Sequence, residues 1–105
     1  MFTFLLDLAT EKGRSIHAYA AAAKAAYAQA LKEPDHAAAF YYLATSAENF
    51  VDRHERQPLS SEEFEQTFMA FQADIHALEK TAEAPEGTRL SVLNEIVASR
   101  IERTG

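Results

Sequence analysis

The chain of 105 residues has no cysteine, which excludes thiol nucleophiles, disulfide cross-links and thiolate metal sites. With three glycines and three prolines, it has no glycine-rich loop to cradle a phosphate and no Gly-x-Ser-x-Gly turn to present a nucleophilic serine. Val, Ile and Thr are sparse and never alternate with a period of two, so no β-strand is expected. Nor does any stretch approach the roughly 20 apolar residues that span a bilayer, since Lys24 interrupts the best candidate. The apolar opening, Met1 to Ala9, lacks a basic leader and contains Asp7, which argues against a signal peptide. Positive charge is scarce as well: ten Lys and Arg stand against sixteen Asp and Glu, a formal net charge of −6. That balance opposes direct binding to nucleic acid, which relies on cations at the phosphates. These exclusions point to a cytoplasmic protein with no catalytic, cofactor or metal signature, and a non-enzymatic role is expected.

Alanine, by contrast, is abundant. Nine of the thirteen residues from Ala18 to Ala30 are alanine, the residue with the best helix propensity but little apolar area to bury. A helix so thin needs bulky neighbours. Pro34, Pro58 and the pair Pro85 and Gly87 divide the chain into four helical segments with short connections. The length suits one domain, residues 1–105, able to bury a single core. The expected fold is therefore all-α, an antiparallel four-helix bundle, or five helices if the first segment breaks at Gly13.

The segment after Pro58 has the clearest start. Ser60 reads as an N-cap with Glu63 completing a capping box, and Leu59 with Phe64 as the matching hydrophobic staple. From there Phe64, Phe68, Phe71, Ile75, Leu78 and Ala82 step by four and three along one face. The segment before it has the same rhythm, from Asp35 as expected N-cap through His36, Phe40, Leu43, Ala47, Phe50 and His54. The last segment, expected to start near Thr88, presents Leu90, Leu93, Ile96, Val97 and Ile101 for burial. Tyr27 to Ala44 also resembles the junction between two tetratricopeptide repeats. However, the 34-residue period fails, because Phe40 maps to Asp74 and Tyr27 to Ser61.

The first segment admits two readings. Phe2, Leu6, Ala9, Gly13, Ile16, Ala20, Ala23, Tyr27 and Ala30 alternate four and three without a slip, which favours one continuous helix of about 45 Å at 1.5 Å per residue. Alternatively, Gly13 stops one helix and Ser15 caps the next. A continuous helix would outreach the others and leave Phe2, Phe4, Leu5 and Leu8 uncovered, a surface for a second copy or another protein. The leading functional expectation is accordingly an interaction or regulatory module, self-associating as a homodimer through its N-terminal helix. A second expectation is a small apolar or aromatic ligand lodged among Tyr27, Phe40, Tyr41, Phe68 and Phe71 in the bundle core. A third is an acidic inhibitor of a basic protein, with Glu62, Glu63, Glu65 and Asp74 imitating phosphates.

Three further groups carry side chains capable of chemistry. His76, Glu79 and Glu83 share one face, but without the Glu-x-x-His pattern of bundle metal sites they read as a solvated flank beside Lys80. Glu48, Asp52 and Glu55 form a carboxylate row that Arg53 and Arg56 are expected to neutralise. His36 and His54 end one stripe and are expected to be hydrogen-bonded boundary residues rather than ligands.

Overall fold

The computed structural model describes residues 1–104, with side chains through residue 102. It is all-helical: α1 (Phe4–Glu11), α2 (Ile16–Lys32), α3 (Ala37–Arg56), α4 (Ser61–Lys80) and α5 (Glu86–Thr104), with a single 3₁₀ turn at Pro34–His36 between α2 and α3. Contacts along the helices give their directions. Tyr19 meets Phe50 and Tyr27 meets Tyr41, so α2 and α3 run antiparallel. Phe50 meets Phe64 and Tyr42 meets Asp74, so α4 runs antiparallel to α3. His36 meets Arg89 and Ser46 meets Arg100, so α5 runs alongside α3 in the same direction.

The first segment breaks, which corrects the expectation of continuity. The amide of Gly13 donates to the Thr10 carbonyl at 3.0 Å and that of Arg14 to the Ala9 carbonyl at 2.8 Å, the paired bonds of a Schellman stop. Gly13 has φ +75° and Arg14 φ +55°, left-handed values that glycine adopts without the penalty a side chain brings. Ser15 then caps α2, its hydroxyl accepting from the Ala18 amide. The Arg14 guanidinium lies 4.0 Å from the centre of the Phe68 ring, so the turn also delivers a cation to an aromatic face.

The unbroken stripe was uninformative because an alanine run offers an apolar residue in almost every register. The buried face of α2 is Ala18, Tyr19, Ala22, Ala23 and Ala26, while Ala20 is exposed and Tyr27 half-buried. The face is thus turned about one residue, roughly 100°, from the one the stripe implies. The most extensive helix–helix contact in the molecule is between α2 and α3. The small residues Ala22 and Ala26 on one helix, and Ala44 and Ala47 on the other, are all essentially inaccessible.

Folded back on the bundle, α1 packs against α2. Phe2 and Leu5 enter the core, with Phe2 4.6 Å from Phe40 between ring centres. A Glu79 carboxylate oxygen holds this end down by accepting from the Met1 ammonium at 2.8 Å and the amides of Phe2 and Thr3 at 2.6 and 3.1 Å. Burial pushes the Glu79 carboxyl upward, but the ammonium and the two amides together outweigh it and hold it below its ordinary value of 4.5. A depressed carboxylate stabilises the fold above the ordinary value and loses that contribution as pH falls through the folded one. Glu79→Gln is expected to flatten the stability profile below about pH 4.5 and to cost about 1–2 kcal/mol near neutrality, both measurable by urea denaturation across pH.

The remaining helices follow the sequence with two corrections. The Ser60 capping box is present with both bonds, Glu63 amide to Ser60 Oγ at 3.1 Å and Ser60 amide to Glu63 Oε2 at 3.2 Å. Phe68, Phe71, Ile75, Leu78 and Ala82 are buried. Asp35, however, lies in the 3₁₀ turn, and the residue flanking the start of α3 is His36, with no side-chain cap. Among the described residues of α5 only Ile96 is buried; Leu90 is 55 % exposed and Ile101 65 %. The expectation that all five apolar residues of α5 are buried therefore fails towards both ends of the helix.

Candidate functional site

Where the C-terminal part of α5 stands beside α3 and α4, an open groove of about 690 Å³ remains. Its α3 wall is a single face, Tyr42, Ser46, Asn49, Arg53 and Arg56, stepping by four and three. Thr67, Ala70, Phe71 and Asp74 come from α4, and Val97, Arg100 and Ile101 from α5. Tyr19 of α2 and Phe50 of α3, both almost wholly buried, complete the lining. The volume falls within the range of about 300–1,000 Å³ usual for small-ligand clefts, but the lining is more polar and more charged than theirs, with apolar surface confined to a few aromatic and aliphatic residues.

Two arrangements of charge mark the walls. In the first, the Tyr42 hydroxyl donates to Asp74 Oδ2 at 2.8 Å, and Arg100 donates to Ser46 Oγ at 2.6 Å while its guanidinium lies 5.6 Å from the centre of the Tyr42 ring. This network ties α3, α4 and α5 together at one side of the groove. Burial, then the bond to Asp74, push the Tyr42 phenol up to about 12, so it remains a neutral donor at all ordinary pH. In the second, Arg53 and Arg56 line the groove but form no ion pair among the described residues. The expected neutralisation by the carboxylate row does not occur. Glu48 instead accepts from the Tyr27 hydroxyl at 2.7 Å, and of the three acids only Asp52 reaches the groove.

Tyr19 is the anomaly of the floor. The residue is 1 % exposed, its ring packed 4.4 Å from Phe50 and 5.7 Å from Phe71. Its hydroxyl is buried with no hydrogen-bond partner. Burial pushes the phenol up to about 12, with Arg14 opposing and Glu65 adding to the shift. A buried tyrosine hydroxyl normally finds a partner, because leaving it unpaired costs about 1–3 kcal/mol.

The five aromatic residues expected to form one ligand cluster lie in different places. Phe71 alone lines the groove. Tyr27 and Tyr41 meet edge to face near the Glu48 carboxylate, Phe40 is buried against Phe2, and Phe68 lies under Arg14. They are dispersed because consecutive aromatics on a helix point to different neighbours. The N-terminal surface is likewise reduced. Phe2 and Leu5 are interior, Leu8 is half-buried and Phe4 is 38 % exposed, since the break at Gly13 removes the overhang on which that surface depended.

The remaining candidates are accounted for locally. His54 Nδ1 accepts from the Leu59 amide at 3.3 Å and so closes the turn into α4. Arg89 stands 3.2 Å from His36 Nε2, and because a guanidinium only donates, that nitrogen is the acceptor. Glu79 is occupied by the N-terminus, and His76 and Glu83 are exposed. Among the described residues no group of three or more His, Asp or Glu is placed to hold a metal ion. Of the proposed acidic row, Glu63 is engaged in the cap and Asp74 faces the groove, while Glu62 and Glu65 are exposed on α4. No helix is long and apolar enough among the described residues to cross a membrane.

The groove was missed in the sequence because its α3 wall is polar. The spacing Tyr42, Ser46, Asn49, Arg53, Arg56 runs beside the apolar stripe and is visible once sought, but periodic apolar residues draw attention to the core instead. No family model, curated protein or solved structure matches this chain significantly, so the functional reading rests on the geometry of the groove itself.

Proposed function

We propose that this protein is a small binding protein, built on an antiparallel bundle of α2 to α5, that accepts a small organic molecule with an aromatic or apolar body in the groove between α3, α4 and α5. The observation that carries this reading is the groove floor, where the rings of Phe50 and Phe71 enclose a buried tyrosine whose hydroxyl has no partner. The Tyr19 hydroxyl itself is sealed from the groove, so a polar atom of a ligand would reach it only by parting the rings around it, and the exposed Ile101 beside Val97 would cover the ligand's apolar side. Stability alone does not account for the hydroxyl, since phenylalanine would fill the same space without an unpaired donor.

The consequence has a definite sign. Tyr19→Phe is expected to raise the stability of the unliganded protein by roughly 1–2 kcal/mol, as read by urea denaturation. Screening a set of aromatic fragments by ligand-observed NMR should return binders whose signals weaken on displacement from the groove, and Ala70→Trp, which fills it, should abolish their binding. Fragments that bind Ala70→Trp as well as the parent protein would place them elsewhere and remove the proposal.

A further inference from the structure

We infer that the groove selects an amphipathic organic monoanion, a carboxylate carried on an aromatic or alkyl body, with Arg53 and Arg56 receiving the charge; this rests on the groove being a binding site. The sequence has six arginines in all, and three of them line this one groove in a chain of net charge −6. Arg100 is held by Ser46, and Asp74 is already an acceptor for Tyr42. Arg53 and Arg56, three residues apart and so on one face of α3, have no carboxylate partner among the described residues. Guanidinium groups are suited to forked hydrogen bonds with a carboxylate.

The charges of the described lining residues favour one class of ligand. Among the described lining residues, Arg53, Arg56 and Arg100 face Asp52 and Asp74, which leaves one positive charge over. A singly charged carboxylate neutralises that excess. A doubly charged phosphate would leave a net negative site against the two aspartates, and a cation would add to the excess. The apolar lining residues are Phe50 and Phe71, with Val97 and Ile101 on α5. The ligand is therefore charged at one end and apolar at the other, its head at the C-terminal turn of α3 and its body along α4 and α5.

The test compares 6-phenylhexanoate with its neutral primary amide, using amide chemical shifts of the full chain to locate and quantify binding. The carboxylate is expected to shift the amides of Asn49, Arg53, Thr67 and Ala70 and to bind about tenfold more tightly than the amide, the worth of one charge-assisted contact. Arg53→Gln with Arg56→Gln should reduce carboxylate affinity to that of the amide while leaving amide affinity unchanged. Asp52→Asn should tighten the carboxylate alone. Equal affinities for the two probes, or a carboxylate affinity unmoved by the arginine replacements, would overturn the inference while leaving the groove a binding site. If neither probe shifts the groove amides, both the groove reading and the charge assignment fall.

Discussion

Phe40→Ala is expected to destabilise the protein by about 3–5 kcal/mol, the usual cost of emptying an aromatic site that cannot collapse. Phe40 is fully buried, 4.6 Å from Phe2 and 6.3 Å from Phe4 between ring centres. It is thus the point at which the folded-back N-terminal helix is fastened to α3. The loss should lower the melting temperature by more than about 10 °C for a chain of this size. It should also release α1 selectively, so that hydrogen exchange at the amides of α1 accelerates beyond what the global change explains. A loss below about 1 kcal/mol, well short of the range for such sites, would mean that α1 is not docked on Phe40 in solution.

Ala22→Leu should cost about 1–3 kcal/mol or more for the opposite reason, overpacking. Ala22 is 1 % exposed on the buried face of α2, the helix in most extensive contact with α3, where Ala44 and Ala47 are also fully buried. The matched control is Ala20→Leu. Ala20 lies in the same run but is exposed, and leucine there is expected to change stability by less than about 0.5 kcal/mol. The pair separates two explanations of the alanine run. If both substitutions are neutral, the run reflects helix propensity alone; if only Ala22→Leu is damaging, small size at one face is what the fold requires.

The comparison with the sequence turns on the same residues. Ser60 with Glu63 was legible because a cap is a local interaction between residues three apart, and the stripe from Phe68 to Leu78 because large apolar residues there have polar neighbours. The alanine run was not legible in register, since Ala18, Ala20, Ala21 and Ala22 are alike to any periodic test and only the approach of α3 distinguishes them. Gly13 and Ser15 contained the break, but their signal was outweighed by a heptad pattern that two short helices produce as readily as one long one. The groove was the least visible. Its floor joins Tyr19 to Phe50 and Phe71 across three helices, and no local rule links positions so far apart in sequence. Spacing alone pairs Arg53 and Arg56 with Glu48, Asp52 and Glu55, whereas in the fold Glu48 is occupied by Tyr27.

Incomplete burial of α5 ties these points together. Ile96 anchors the helix, yet Leu90 and Ile101 remain exposed, so the helix is set by its ends: Arg89 at His36 and Arg100 at Ser46. An α5 pressed fully onto α3 and α4 would bury more apolar area, at about 25 cal/mol per Å², and would close the groove. The open space between α3, α4 and α5, with Ile101 left exposed at its edge, is the basis on which we propose a site there. The most direct measurement is a crystal structure of the protein soaked with 6-phenylhexanoate. The account predicts the phenyl ring against Phe50 and Phe71 and the carboxylate between Arg53 and Arg56. A groove occupied only by ordered water would contradict it.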